Sequence, residues 1–140
     1  MFRTILLFLL LVGLAACSSA TAPDTGEVGQ GVTVPGGSYT DVSVPELQTM
    51  LANKDFTFVN VHIPFEGDIA STDLSIAFDE IGQNLEQLPA DKDAKIVLYC
   101  RSDRMSRIAA ETLVGLGYTN VWNLDGGMVA WEQAGSPLER

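Results

Sequence analysis

The sequence predicts one α/β domain built on a central, mostly parallel sheet flanked by helices. Two observations carry that expectation. Short β-rich runs alternate with helical patterns from about Tyr39 onward, the order that builds parallel sheets through crossover helices. The run Ile96-Val97-Leu98-Tyr99 is apolar without a break, as in a strand covered on both faces.

The elements follow in order. Ser43 and Glu46 have capping-box spacing and Pro45 suits a first helical turn, so a helix is expected to about Asn53. Phe56 to Val61 is β-rich and short, a strand. Pro64 to Asp73 is a polar, glycine-containing loop, and Leu74 to Phe78 a further short strand. Asp79 is placed to cap a helix in which Ile81, Leu85 and Leu88 recur at helical spacing, with Pro89 as its stop. Lys95 to Tyr99 is the next strand. A helix from Met105 to about Leu116 presents Ile108, Ala109, Leu113 and Leu116 as its apolar face, and Gly115 and Gly117 end it. Asn120 to Leu124 reads as a strand. Asp125-Gly126-Gly127 then turns the chain into a short last helix, Met128 to Ala134.

Upstream, the chain has a different character. Arg3, the apolar run Ile5 to Val12 and Leu14-Ala15-Ala16 before Cys17 have the layout of a signal peptide over residues 1–16. Leu-Ala-Ala-Cys resembles the lipobox of bacterial lipoproteins, which implies lipidation at Cys17 and anchorage at a cell-envelope membrane, on its periplasmic face. Ser18 after that cysteine favours the outer membrane in an organism that has one. Residues 17–38, rich in Ser, Thr, Ala, Gly and Pro, read as the lipidated N-terminus and a flexible tether. The folded domain is expected over residues 39–140.

The net charge of −10 argues against nucleic-acid partners and against binding an anionic lipid surface by charge. Loss of residues 1–16 would remove Arg3 and no acidic residue, making it −11. Seven Lys or Arg would remain, and Arg101, Arg104 and Arg107 cluster after Cys100. That local positive spot favours an anionic substrate. With Cys17 lipidated, Cys100 would have no disulfide partner.

Cys100 falls where a strand ends and a helix begins. Backbone N–H groups at such a corner have no helical partner and stabilise a thiolate, so Cys100 is the candidate nucleophile. The loop reads Cys100-Arg101-Ser102-Asp103-Arg104-Met105-Ser106, followed downstream by Gly117-Tyr118 and by Gly126-Gly127 before Trp131. Together these resemble the rhodanese-like superfamily, whose loop runs Cys-Arg-Ser-Gly-x-Arg-Ser. The resemblance spans about Asp41 to Leu138. It implies a sulfurtransferase in which Cys100 takes a sulfane sulfur from a small sulfur-containing anion or a persulfide donor, with Arg101 to Ser106 forming the substrate cradle. No cofactor or metal is implied. The arginine of cysteine phosphatases stands six residues after the cysteine, where this chain has Ser106.

This chain departs from the family pattern at Asp103, Met105, Asn60 and His62, and Pro64 to Ile69 replaces the usual Gly-His-Ile-Pro-Gly-Ala. Those departures support an alternative, a non-catalytic module that binds an envelope protein. Arg107 reads as a surface residue, and His62 as a hydrogen-bonded structural histidine. Glu66, Asp68 and Asp73 read as an acidic loop rather than a metal site.

Overall fold

A computed structural model describes residues 26–140; residues 1–16, expected to be a signal peptide, and Cys17 lie outside the described residues. The strands are β1 (Gln30–Val34), β2 (Gly37–Val42), β3 (Thr57–Asn60), β4 (Leu74–Ser75), β5 (Ile96–Tyr99) and β6 (Val121–Leu124). The helices are α1 (Val44–Ala52), α2 (Arg104–Gly115) and α3 (Gly127–Gln133). The sheet order is β1-β2-β6-β5-β3-β4, with β1 antiparallel to β2 and every other pair parallel. This is the α/β architecture expected from the sequence.

The sheet is covered on both faces, and alternation along β5 assigns its side chains to two cores. Ile96, Leu98 and Cys100 join Ala109, Ala110 and Leu113 of α2. Val97 and Tyr99 join Leu47 of α1 and Met128 and Trp131 of α3. Each residue of this strand is therefore buried, which explains its unbroken apolar sequence.

The opening helix forms as expected. Glu46 accepts hydrogen bonds from Ser43 N at 2.8 Å and Ser43 Oγ at 2.7 Å, and it also accepts from Gly29 N at 2.9 Å. One carboxylate thus caps α1 and ties it to the chain entering β1.

Three expectations need correction. Residues 30–38 are not tether: they belong to a hairpin in which Gln30 faces Asp41 and Val34 faces Gly37. Val32 and Val34 lie two apart and pack on the core, while Gly31 and Thr33 beside them give the segment its linker-like composition. The expected helix after Asp79 is two 3-10 turns, Ile81–Gln83 and Leu85–Gln87. The Asn84 side-chain amide donates to Glu80 O at 2.9 Å, occupying the carbonyl that the Asn84 backbone N–H would use in an α-helix. Finally, α2 buries Ser106, Ala109, Ala110, Leu113 and Val114, and leaves Ile108 and Leu116 exposed. Ala109 and Leu113 thus face the core as expected, with Ser106, Ala110 and Val114 completing the buried face in place of Ile108 and Leu116.

Candidate active site

Parallel pairing decides what stands beside Cys100. Asn60 at the end of β3 is opposite Tyr99 at the end of β5, so the chain emerging as Val61-His62 runs alongside Cys100-Arg101. Leu98 is opposite Asn123 of β6, which brings Asp125 to Met128 to the other side. Carboxyl ends of parallel strands are where α/β folds gather ligand-binding groups.

Cys100 is 2% exposed and makes no disulfide among the described residues. It lines a cavity of about 150 Å³ together with His62, Arg101, Ser102, Arg104 and Met105. A larger cavity of about 500 Å³, between Asp41, Glu46, Arg107 and Asp125, contains no thiol, and the cysteine chemistry belongs to the smaller one. The Ser106 hydroxyl lies 3.3 Å from Cys100 Sγ and 3.0 Å from Asp103 O, with one proton to donate to either. The first helical bond of α2 runs from Arg107 N to Asp103 O at 2.9 Å. Amides of Arg104, Met105 and Ser106 precede it and have no helical acceptor.

The loop is fixed from behind by α3. Met128 N donates to Cys100 O at 2.9 Å and Val129 N to Arg101 O at 3.0 Å. The approach is so close that a Cβ on Gly127 would run into the Cys100 carbonyl oxygen. This is the physical need for the second glycine of the Gly126-Gly127 pair.

Asp103 occupies the position where the family has glycine, and its φ is +84°. Aspartate tolerates positive φ better than most residues do. Its carboxylate also turns away from the cavity, and Oδ1 accepts from Gly126 N at 2.9 Å and Asn123 Nδ2 at 3.3 Å. Asn123 is fully buried and donates to Asp41 at 2.8 Å as well. Burial raises the Asp41 pKa, although Asn123 and Arg107 oppose the shift.

The three arginines do not act as one positive spot. Arg107 reaches Asp125 at 3.0 Å and Asp41 at 3.3 Å, and its Nε lies 3.9 Å from Asp103. Burial works against its charge, but Asp41 and Asp103 outweigh that and raise its pKa. Arg107 is thus a strut between α2, β2 and the β6–α3 turn rather than a simple surface residue. Arg101 Nη1 pairs with Glu66 Oε1 at 3.1 Å. Arg104 makes no ion pair among the described residues and is exposed at the cavity mouth.

His62 and Glu66 are the residues whose placement the sequence did not reveal. The His62 side chain is 8% exposed, and Nε2 hydrogen-bonds Glu66 Oε2. Nδ1 is buried without a hydrogen-bond partner among the described residues. The bond from His62 is the main cause lowering the Glu66 pKa, and Arg101 adds to it. The neighbouring Asp68 accepts from Asn60 Nδ2 at 2.9 Å and Tyr99 OH at 3.1 Å, and an amide at position 60 can donate to it where a carboxylate could not. Asp73 accepts from Phe58 N at 2.8 Å and pairs with Lys54. No helix among the described residues is long and apolar enough to cross a membrane.

Comparison with known proteins supplies the context for this geometry. The rhodanese-like domain family model matches residues 46–134. A sulfurtransferase of Allochromatium vinosum is 33% identical over 94 residues, covering 65% of this chain and 85% of that protein. A thiosulfate sulfurtransferase of Vibrio cholerae is 28% identical, covering 72% of this chain and 95% of that one. Among solved structures, a rhodanese-related protein from Thermoplasma volcanium superposes with a TM-score of 0.60 at 28% identity, covering 70% of this chain and 95% of its own. A human single-domain sulfurtransferase has a TM-score of 0.60 at 25% identity, covering 66% and 95%.

Proposed function

Since the chain belongs to the rhodanese-like domain family, we propose that it is a sulfurtransferase working through a persulfide on Cys100. The observation that carries this reading is the seat of Cys100: in a small cavity, beside a hydroxyl donor, on the loop between β5 and α2. Sulfurtransferases among its relatives support the same class.

The Cys100 thiolate attacks the outer sulfur of a thiosulfate- or persulfide-type donor. An Sγ–S bond forms and the donor S–S bond breaks. Its electron pair leaves on sulfite or on a thiolate. A nucleophilic acceptor then attacks the terminal sulfur, and the Sγ–S pair returns to Cys100 as thiolate. Neither half-reaction needs an outside oxidant or reductant. The α2 amides and the Ser106 hydroxyl offset negative charge at both stages. Arg104 attracts the incoming anion, while Arg101, Ser102 and Met105 shape the entrance.

The test is turnover from thiosulfate or a small persulfide to an excess of cyanide or thiol. The wild-type chain transfers sulfur and Cys100→Ser does not. Equal rates in the two proteins overturn the reading.

A second reading rests on the exposed Ile63 and Phe65, 39% and 61% exposed, next to His62. They favour a module that binds a partner envelope protein, and partner capture that survives Cys100→Ala without any turnover would select it. We also propose that Cys17 is lipidated and holds the domain at the envelope membrane. Labelled fatty acid incorporated by the wild type and lost in Cys17→Ser tests this.

A further inference from the structure

We infer that Glu66 is a specificity-determining residue that sets the site against doubly charged donors such as thiosulfate and in favour of persulfides of small thiols. The inference rests on the sulfurtransferase reading and deepens it.

The argument is one of charge placement. Two arginines line the Cys100 cavity, Arg101 and Arg104. One of them is neutralised in place, because Glu66 Oε1 lies 3.1 Å from Arg101 Nη1. The other Glu66 oxygen is held by His62 Nε2, and His62 is itself a cavity wall with its side chain 8% exposed. A buried ring therefore anchors the carboxylate from one side while Arg101 grips it from the other. The same two contacts hold the carboxyl below its ordinary range, so it is ionised at neutral pH. Arg107 cannot compensate, being committed to Asp41 and Asp125.

The entrance thus keeps the net attraction of one cation, Arg104, within a chain of net charge −10. A dianion is repelled by that overall field twice as strongly as a monoanion. It also gains nothing from Arg101 unless it displaces Glu66. The reacting step is the same for either donor: Sγ bonds to the outer sulfur and the donor S–S pair departs on sulfite or on the donor thiolate. What differs is the charge brought to the mouth.

The experiment measures the second-order rate of sulfur addition to Cys100 by intact-mass analysis of the full chain. Thiosulfate is compared with the persulfide of 2-mercaptoethanol, which carries one negative charge at most. Glu66→Gln keeps the side-chain shape and can still accept from His62 or Arg101. It is expected to accelerate loading from thiosulfate several-fold at low salt, with a steeper fall as salt is added. Loading from the persulfide should change by less than about two-fold, since charge attraction at an exposed pair scales with ligand charge. Arg101→Ala, which leaves Glu66 unneutralised, should slow thiosulfate more than the persulfide.

The inference is overturned if Glu66→Gln leaves the thiosulfate rate unchanged or lowers it, or if both donors respond alike. Failure of every donor to load sulfur onto an alkylatable Cys100, in wild type and variants, overturns the sulfurtransferase reading itself.

Discussion

Asp103 Oδ1 accepts the backbone N–H of Gly126 at 2.9 Å, joining the loop that carries Cys100 to the turn that opens α3. The residue that replaces the family glycine therefore gives the loop a side-chain tie that glycine could not make. Asp103→Ala loses this bond and places alanine at φ +84°. The expected cost is about 2 kcal/mol of stability, read by urea denaturation. Asp103→Asn retains an acceptor oxygen and tolerance of positive φ, so it should stay within about 1 kcal/mol of the wild type. Equal losses in both variants would show that the tie is unimportant.

Ser106 is fully buried with its hydroxyl within reach of Cys100 Sγ and Asp103 O. Ser106→Ala fits the same space and removes the donor. Stability should fall by about 1 kcal/mol, and alkylation of Cys100 by iodoacetamide at neutral pH should slow several-fold. An unchanged alkylation rate would mean that the hydroxyl serves Asp103 O alone.

Gly127→Ala introduces a Cβ against the Cys100 carbonyl oxygen and the Arg101 carbonyl, at φ +54°. Backbone rather than a flexible side chain must move. Overpacking of this type costs on the order of 1–3 kcal/mol, and the loop displaced is the one that seats the nucleophile. Sulfur loading should therefore be lost in protein that circular dichroism still shows as folded. Full loading would contradict the fixed approach of α3 to the loop.

Glu46 gives a pH dependence with a definite sign. Hydrogen bonds from Ser43 N, Gly29 N and Ser43 Oγ lower its pKa in the folded chain. Its contribution is therefore present above the unfolded-state pKa and is lost as pH falls through the folded-state value. Glu46→Gln should be less stable than wild type by about 1 kcal/mol at neutral pH, and the gap should close as acid protonates the wild-type carboxyl. A gap that persists at low pH would place its origin elsewhere.

Local signals in the sequence were enough for most of the fold. The unbroken apolar run of β5 announced burial on both faces, and the Ser43–Glu46 spacing announced the start of α1. The nucleophile was legible because a strand-to-helix corner is a local feature. What depended on partners distant in the chain was not. Arg107 shares its charge with Asp41, 66 residues away, and Arg101 with Glu66, 35 residues away. Three arginines close in sequence therefore looked like one positive spot, although pairing divides them among three tasks. The role of His62 was hidden for the same reason, since only the Asn60–Tyr99 register brings it beside Cys100. The hairpin of β1 and β2 was missed because its strand residues are interspersed with Gly and Thr, a composition shared by linkers.

The most direct test is the mass of Cys100 after exposure to a sulfane-sulfur donor and removal of the excess. The expected result is a gain of one sulfur atom at Cys100, absent in Cys100→Ser and discharged by an added thiol. A Cys100 that alkylates readily yet never gains sulfur from thiosulfate or from any small persulfide would contradict the account.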